Sequence, residues 1–171
     1  STGPTGEVGP TGAGAMFLNY VFSTRSTGPS VDISTSPTII RLTTIQDESG
    51  GWAMDGGGRL FIPVDGVYSV IYNMTIFYGG ASASSTRVDS YVMVNDTLIP
   101  TSHVSCISVA DSLHQYVQGS TFIRRFSGRD IISLHAISSN LPSPPNMVPT
   151  NTSSISNNMV TACINIQQVN T

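Results

Sequence analysis

The chain has no lysine; its seven basic residues are all arginine. Charged residues make up only 10% of it, where ordinary globular domains carry about a quarter. A soluble surface must therefore be built from Ser, Thr, Asn and Gln. A nucleic-acid-binding face needs a basic stripe. The densest basic group here is Arg124, Arg125 and Arg129, in a chain of net charge -3. Two of those three fall on one strand-like segment and its turn, which reads as a solvated edge. No apolar run approaches the roughly 18 residues that cross a bilayer. Cysteine is too scarce for a disulfide framework. Cys106 and Cys163 both lie in apolar, strand-like context, so free thiols are expected, with a single bridge as the alternative. No leader segment is visible, and Ser1-Thr2 read as the tail of an earlier triplet, so the chain is expected to begin inside a longer protein.

Glycine recurs with strict period three at Gly3, Gly6, Gly9 and Gly12. Pro-Thr follows twice, at Pro4-Thr5 and Pro10-Thr11. The next triplet would need glycine at position 15, and Ala15 stands there. Three extended chains wind together only if every third residue lacks a side chain, because that residue faces the common axis. The period therefore predicts a collagen-like stalk end over residues 1–15 and a head over 16–171. A Gly/Pro-rich linker is the alternative. A triple helix requires three chains, and so short a repeat cannot hold them together. The head is expected to supply the trimer contacts.

Beyond Ala15 no apolar stripe has helical spacing, and alternation takes its place. Tyr68, Val70, Tyr72, Met74 and Ile76 share one face of a strand and are expected in a core or trimer contact. The opposite face mixes Ser69, Asn73 and Thr75 with Val67, Ile71 and Phe77, which suits burial against another subunit. Segments 87–94, 130–137 and 159–169 alternate in the same way. Segment 114–126 is expected to break near Gly119. Asp47-Glu48-Ser49-Gly50-Gly51, Gly56-Gly57-Gly58, Asp65-Gly66 and Asn95-Asp96 read as turns. Segment 141–158, rich in proline, reads as a long surface loop. Short strands with regular turns mean a β-sandwich or barrel.

Chemistry is sparse. His103, His114 and His135 sit on separate strand-like segments, and a metal site would need them to converge. Asp47-Glu48 is a candidate for Ca²⁺ only if further oxygens join it; solvated loop acids are the alternative. No Gly-x-Ser-x-Gly elbow is present, and Asp55-Gly56-Gly57-Gly58-Arg59 lacks the Lys-Ser/Thr of a phosphate loop. No catalytic residue, resident cofactor or metal site is assigned, and an enzyme is not expected. Asn73, Asn95 and Asn151 fit the N-glycosylation pattern, Asn151 in the most accessible context. Trp52, the only tryptophan, reads as a loop anchor or as part of a carbohydrate platform.

Several spacings resemble the trimeric jelly roll shared by the globular heads of the complement first component and the tumour necrosis factor family. Phe61-Ile62-Pro63-Val64-Asp65-Gly66-Val67-Tyr68 is similar to its aromatic, turn and Gly-x-Tyr stretch. Tyr91 to Asp96 resembles its strand ending in a hairpin. Gly128-Arg129-Asp130-Ile131-Ile132-Ser133-Leu134 resembles its Gly-Asp-x-Val-x-Leu stretch, with Arg129 interposed. The terminal Phe-Gly pair of the family is replaced by Thr161-Ala162-Cys163. The resemblance implies an all-β jelly-roll sandwich assembling as a homotrimer. A collagen-like stalk with such a head resembles the Bacillus collagen-like glycoproteins of the spore exosporium. That resemblance implies a structural filament tip on an extracellular surface, with Thr5 and Thr11 as O-glycosylation positions. The fibre heads of phages and large viruses are the second resemblance; they imply a host receptor or glycan as partner and a virion surface as location.

Overall fold

The structure is a computed structural model, described over residues 19–25, 33, 35–77, 86–108, 115–140 and 160–169. The glycine repeat, His114 and segment 141–158 lie outside the described residues, as do Thr5, Thr11 and Asn151. In chain order the strands are β1 (Tyr20–Arg25), β2 (Thr38–Ile39), β3 (Thr44–Ser49), β4 (Ala53–Met54), β5 (Leu60–Phe61), β6 (Gly66–Phe77), β7 (Thr86–Val94), β8 (Thr97–Leu98), β9 (Val104–Ser108), β10 (Gln115–Phe126), β11 (Ile131–Asn140) and β12 (Val160–Val169). One 3₁₀ turn, Pro100–Ser102, precedes β9.

Two antiparallel sheets form. The first has five strands in the order β10-β6-β12-β1-β3. The second has seven: β4-β5-β11-β7-β8, with β2 also pairing β11 and β9 also pairing β7. From β5 onward the chain passes from one sheet to the other at each long connection, so neighbours within a sheet are distant in sequence. Successive side chains on a strand point to opposite faces, so the alternation decides which face is buried. Tyr68, Val70, Tyr72, Met74 and Ile76 of β6 face the second sheet and are fully buried. Ala162, Ile164 and Ile166 of β12 lie beside them, and Val88, Val92, Ile132, Leu134 and Ala136 close the core from the other side.

A polar node fastens the two layers. Tyr72 Oη donates to the Ser102 carbonyl at 2.7 Å and lies 3.1 Å from Ser90 Oγ. Ser102 Oγ in turn accepts from the Val92 N–H at 2.8 Å and donates to the Ile99 carbonyl at 2.7 Å. Buried polar atoms need such partners. At one end of the sandwich Trp52 meets Tyr68 edge-on at 5.9 Å, and Phe126 packs against the same ring. Trp52 is buried, so it anchors a loop on the core and offers no open platform for a sugar.

Two local expectations change. Strand β10 runs unbroken through Gly119. Glycine stands there because a side chain would meet the Tyr72 carbonyl oxygen 2.2 Å away on the paired strand. Asp47, Glu48 and Ser49 belong to β3 and not to the turn after it. Backbone pairing with β1 holds them extended, although their side chains carry no alternation. The turn itself is Gly50-Gly51, both at positive φ. The Asn95-Asp96 hairpin forms as expected, with φ of 48° and 61°. Both values are positive, as a tight two-residue hairpin turn requires.

Candidate functional site

The five strands of the first sheet present a continuous outer face. Register places its side chains in rows. One row runs Asp47, Phe22, Asn165, Ile71 and Thr121 from β3 across to β10. Its neighbours are Tyr20, Gln167, Ser69 and Ile123 on one side, and Thr24, Cys163, Asn73 and Gly119 on the other. Large apolar side chains stand exposed on this face: Ile71 at 41%, Val117 at 67% and Ile123 at 66%, with Phe22 and Val169 beside them. Isolated exposed apolar residues are ordinary, and the second sheet exposes Ile39, Leu98 and Ile107; several on one face of the first sheet make that face a candidate contact surface.

The rest of the face is polar without being ionised: Ser69, Asn73, Thr24, Thr121, Asn165 and Gln167. Its ionised groups sit at the margins, Asp47 on edge strand β3 and Arg125 near the end of edge strand β10. Asn165 Oδ1 is buried between its neighbours with no hydrogen-bond partner. An unmet buried acceptor is costly. Tyr20 Oη lies 3.3 Å from Asp47, whose charge raises the phenol's pKa above the ordinary range.

The residues of possible chemical interest lie mainly on the other sheet. Asp89 Oδ1 accepts from Arg87 Nε at 2.9 Å, also accepts from Ser105 Oγ, and lies 3.3 Å from His103 Nε2. Serine and histidine therefore share one carboxylate oxygen, whereas a nucleophile relay would place the histidine between serine and acid. Ser133 Oγ and His135 Nε2 are 2.9 Å apart, but these residues are only 3% and 6% exposed, so no substrate carbonyl reaches the hydroxyl. Among the described residues no three His, Cys, Asp or Glu side chains converge as metal ligands would. Glu48 Oε2 is within hydrogen-bond reach of the Gly51 and Trp52 N–H groups, and Asp47 of Tyr20. Asp55 is likewise committed to its own loop, to the Gly57 and Arg59 N–H groups and to Arg59 Nε. Cys106 and Cys163 are free thiols on different sheets. Burial, with the Asp89 charge second, pushes the Cys106 thiol above its ordinary value.

The sequence pointed to Ile71 and Asn73 as the outer side of β6. It did not point to Val117, Ile123 or Asn165. The alternation that exposes Val117 and Ile123 runs from Gln115 to Phe126 and is legible only if Gly119 is kept inside the strand.

No known family's sequence pattern matches this chain, and no curated protein matches it in sequence. Solved structures do match in shape. The globular domain of zebrafish complement 1qA protein superposes with a TM-score of 0.56 over 90% of this chain and 98% of its own length, at 8% identity. At that identity the likeness is one of fold: the two sheets of this chain form the jelly-roll sandwich of that complement head.

Proposed function

We propose that this chain is the trimeric head of a collagen-like surface fibre. It holds three glycine-repeat stalks in register and forms the outermost tip on an extracellular surface. The observation that carries this reading is the outer face of the first sheet, which is apolar at Phe22, Ile71, Val117 and Ile123 and free of ionised groups across its middle. Such a face gains by burial against neighbouring copies of the chain. The glycine period at Gly3, Gly6, Gly9 and Gly12 supports the number three, because a triple helix requires three chains. The fold shared with a complement head supports the same arrangement. The finer assignment is a structural tip on a spore exosporium or comparable particle. It rests on the sequence resemblance, on threonine in the third triplet position at Thr5 and Thr11, and on the charge-poor surface.

Light scattering on the full chain at micromolar concentration tests the assembly. A trimer is expected for the native sequence, and Ile71→Asp, which changes a side chain already exposed in the single chain, is expected to yield monomers. A native chain that is monomeric at that concentration overturns the reading.

A further inference from the structure

His135 is the buried imidazole of the second sheet. It lies on the outer face of β11 and is closed in on four sides. Ser133 and Ile137 flank it along its own strand. Tyr91 of β7 stacks on it with ring centroids 5.7 Å apart and planes 6° from parallel. Ile39 of β2 is its cross-strand neighbour on the remaining side. The Ile40 N–H bonds the Leu134 carbonyl at 2.8 Å. Antiparallel ladders alternate hydrogen-bonded and non-bonded pairs. Ile39 and His135 are then a non-bonded pair, in which side chains approach closely.

The two ring nitrogens differ. Nε2 has the Ser133 hydroxyl at 2.9 Å; Nδ1 is buried with no partner. A neutral ring placing its proton on Nε2 donates to Ser133 and leaves only a lone pair unmet. A second proton would have to sit on Nδ1, a donor without an acceptor inside the sheet. The charged and titratable groups around the ring offer little compensation. Tyr91 is a neutral phenol. His103 lies beyond it, its ring centroid 6.3 Å from that of Tyr91. Asp89 is committed to Arg87 and Ser105. Ser133, Ile137, Thr38 and Ile39 carry no charge. Asp96, in the hairpin turn, is the one acid that favours protonation, and burial outweighs it, holding the imidazole below its ordinary value of 6.5.

We propose that His135 is the trigger of an acid-released edge: the Thr38–Ile40 segment stays on β11 while His135 is neutral and opens when the ring takes a second proton. Strand β2 is the weakest cover of the ring, since it pairs β11 over two residues while β7 pairs it over nine. Opening that edge gives Nδ1 access to water; it withdraws Ile40 from the core and leaves the nine-residue pairing of β7 with β11 in place. The sign follows from linkage. A histidine whose folded pKa is depressed contributes stability above its unfolded pKa, and that stability is lost as pH falls below it.

Amide exchange across pH, read as protection factors, tests this on the full chain. An open-state pKa of about 6.5 lets protection at the Ile40 N–H fall by up to about 30-fold between pH 7.5 and 5.0. The amides of β6 and β12 should keep theirs. His135→Gln retains a donor for Ser133 and cannot ionise, so it should abolish the effect; His103→Gln should leave it in place. A fall under about threefold at Ile40, or an equal loss across both sheets, overturns the proposal. Should His135→Gln fail to fold, proton NMR of the native ring decides: titration at or above 6.5 refutes it.

Discussion

Replacing Tyr72 with phenylalanine removes one oxygen atom from the centre of the molecule and leaves its packing unchanged. The ring belongs to β6 of the first sheet, and its hydroxyl reaches Ser90 Oγ of β7 in the second sheet and the Ser102 carbonyl in the 3₁₀ turn before β9. One hydroxyl proton serves one acceptor, and the 2.7 Å contact identifies the Ser102 carbonyl as that acceptor. The variant therefore loses the bond and leaves both the Ser102 carbonyl and the Ser90 hydroxyl short of a partner in a dry interior. Losing a bond with both partners solvated would cost little, but stranding buried groups costs about 1–3 kcal/mol. For a domain of this size that is a fall of about 2–12 °C in Tm. Thermal and urea unfolding at one fixed protomer concentration measures it, since any assembly makes stability concentration-dependent. The oligomeric state should not change, because Tyr72 faces away from the outer surface. A loss below about 0.5 kcal/mol, the scale of a surface substitution, would refute the claim that this node fastens the two sheets.

Gly119→Ala should destabilise by about 1–3 kcal/mol, the usual cost of overpacking, because the new methyl meets the Tyr72 carbonyl oxygen and Asn73; unfolding measures it. Asp55→Asn should lower Tm at neutral pH. The Arg59 backbone N–H, with its side chain and the Gly57 N–H, holds the Asp55 carboxyl below its ordinary 3.8, so that contribution is present above 3.8 and lost as pH falls further. A thermal scan should therefore show the native and variant chains converging in strong acid. Cys163 lies half-buried in the middle of the proposed contact face. A thiol reagent should modify it in monomeric Ile71→Asp at least about tenfold faster than in the native assembly, while Cys106, whose thiol burial makes harder to ionise, stays slow in both.

Strands that bury one full face were readable in the sequence, because burial imposes a period of two. In β6, β11 and β12 the apolar set occupies alternate positions without a break, and those positions line the core. Strand β3 escaped that reading for a physical reason. Thr44 to Ser49 form an edge strand in which only Ile45 packs against the core, so little selects an alternating sequence, and backbone pairing with β1 defines most of it. The same limit applies to the sites. Alternation places His135 on the outer side of β11, where exposure would be expected. Its burial depends on Tyr91 and Ile39 lying opposite, which cross-strand register decides and spacing along one strand does not. The row Phe22, Asn165, Ile71 and Thr121 likewise draws on four separate strands.

The scarcity of charge links the two proposals. A face that must be wet in a single chain and dry in an assembly cannot carry lysine or glutamate at its centre, because desolvating an unpaired charge costs far more than desolvating an amide or hydroxyl. Ser, Thr, Asn and Gln between exposed isoleucine, valine and phenylalanine meet both conditions, and they are what the outer face of the first sheet presents. The same composition leaves His135 with Asp96 as its one favouring acid, too weak to offset burial. In a chain rich in acids such a ring would find a carboxylate and hold its second proton comfortably at neutral pH. Here its stacking partner is a neutral phenol and its hydrogen bond goes to a hydroxyl, so a proton has nowhere favourable to sit until the Thr38–Ile40 edge admits water. The scarcity of charge that suits the proposed contact face thus also leaves a buried histidine sensitive to protonation.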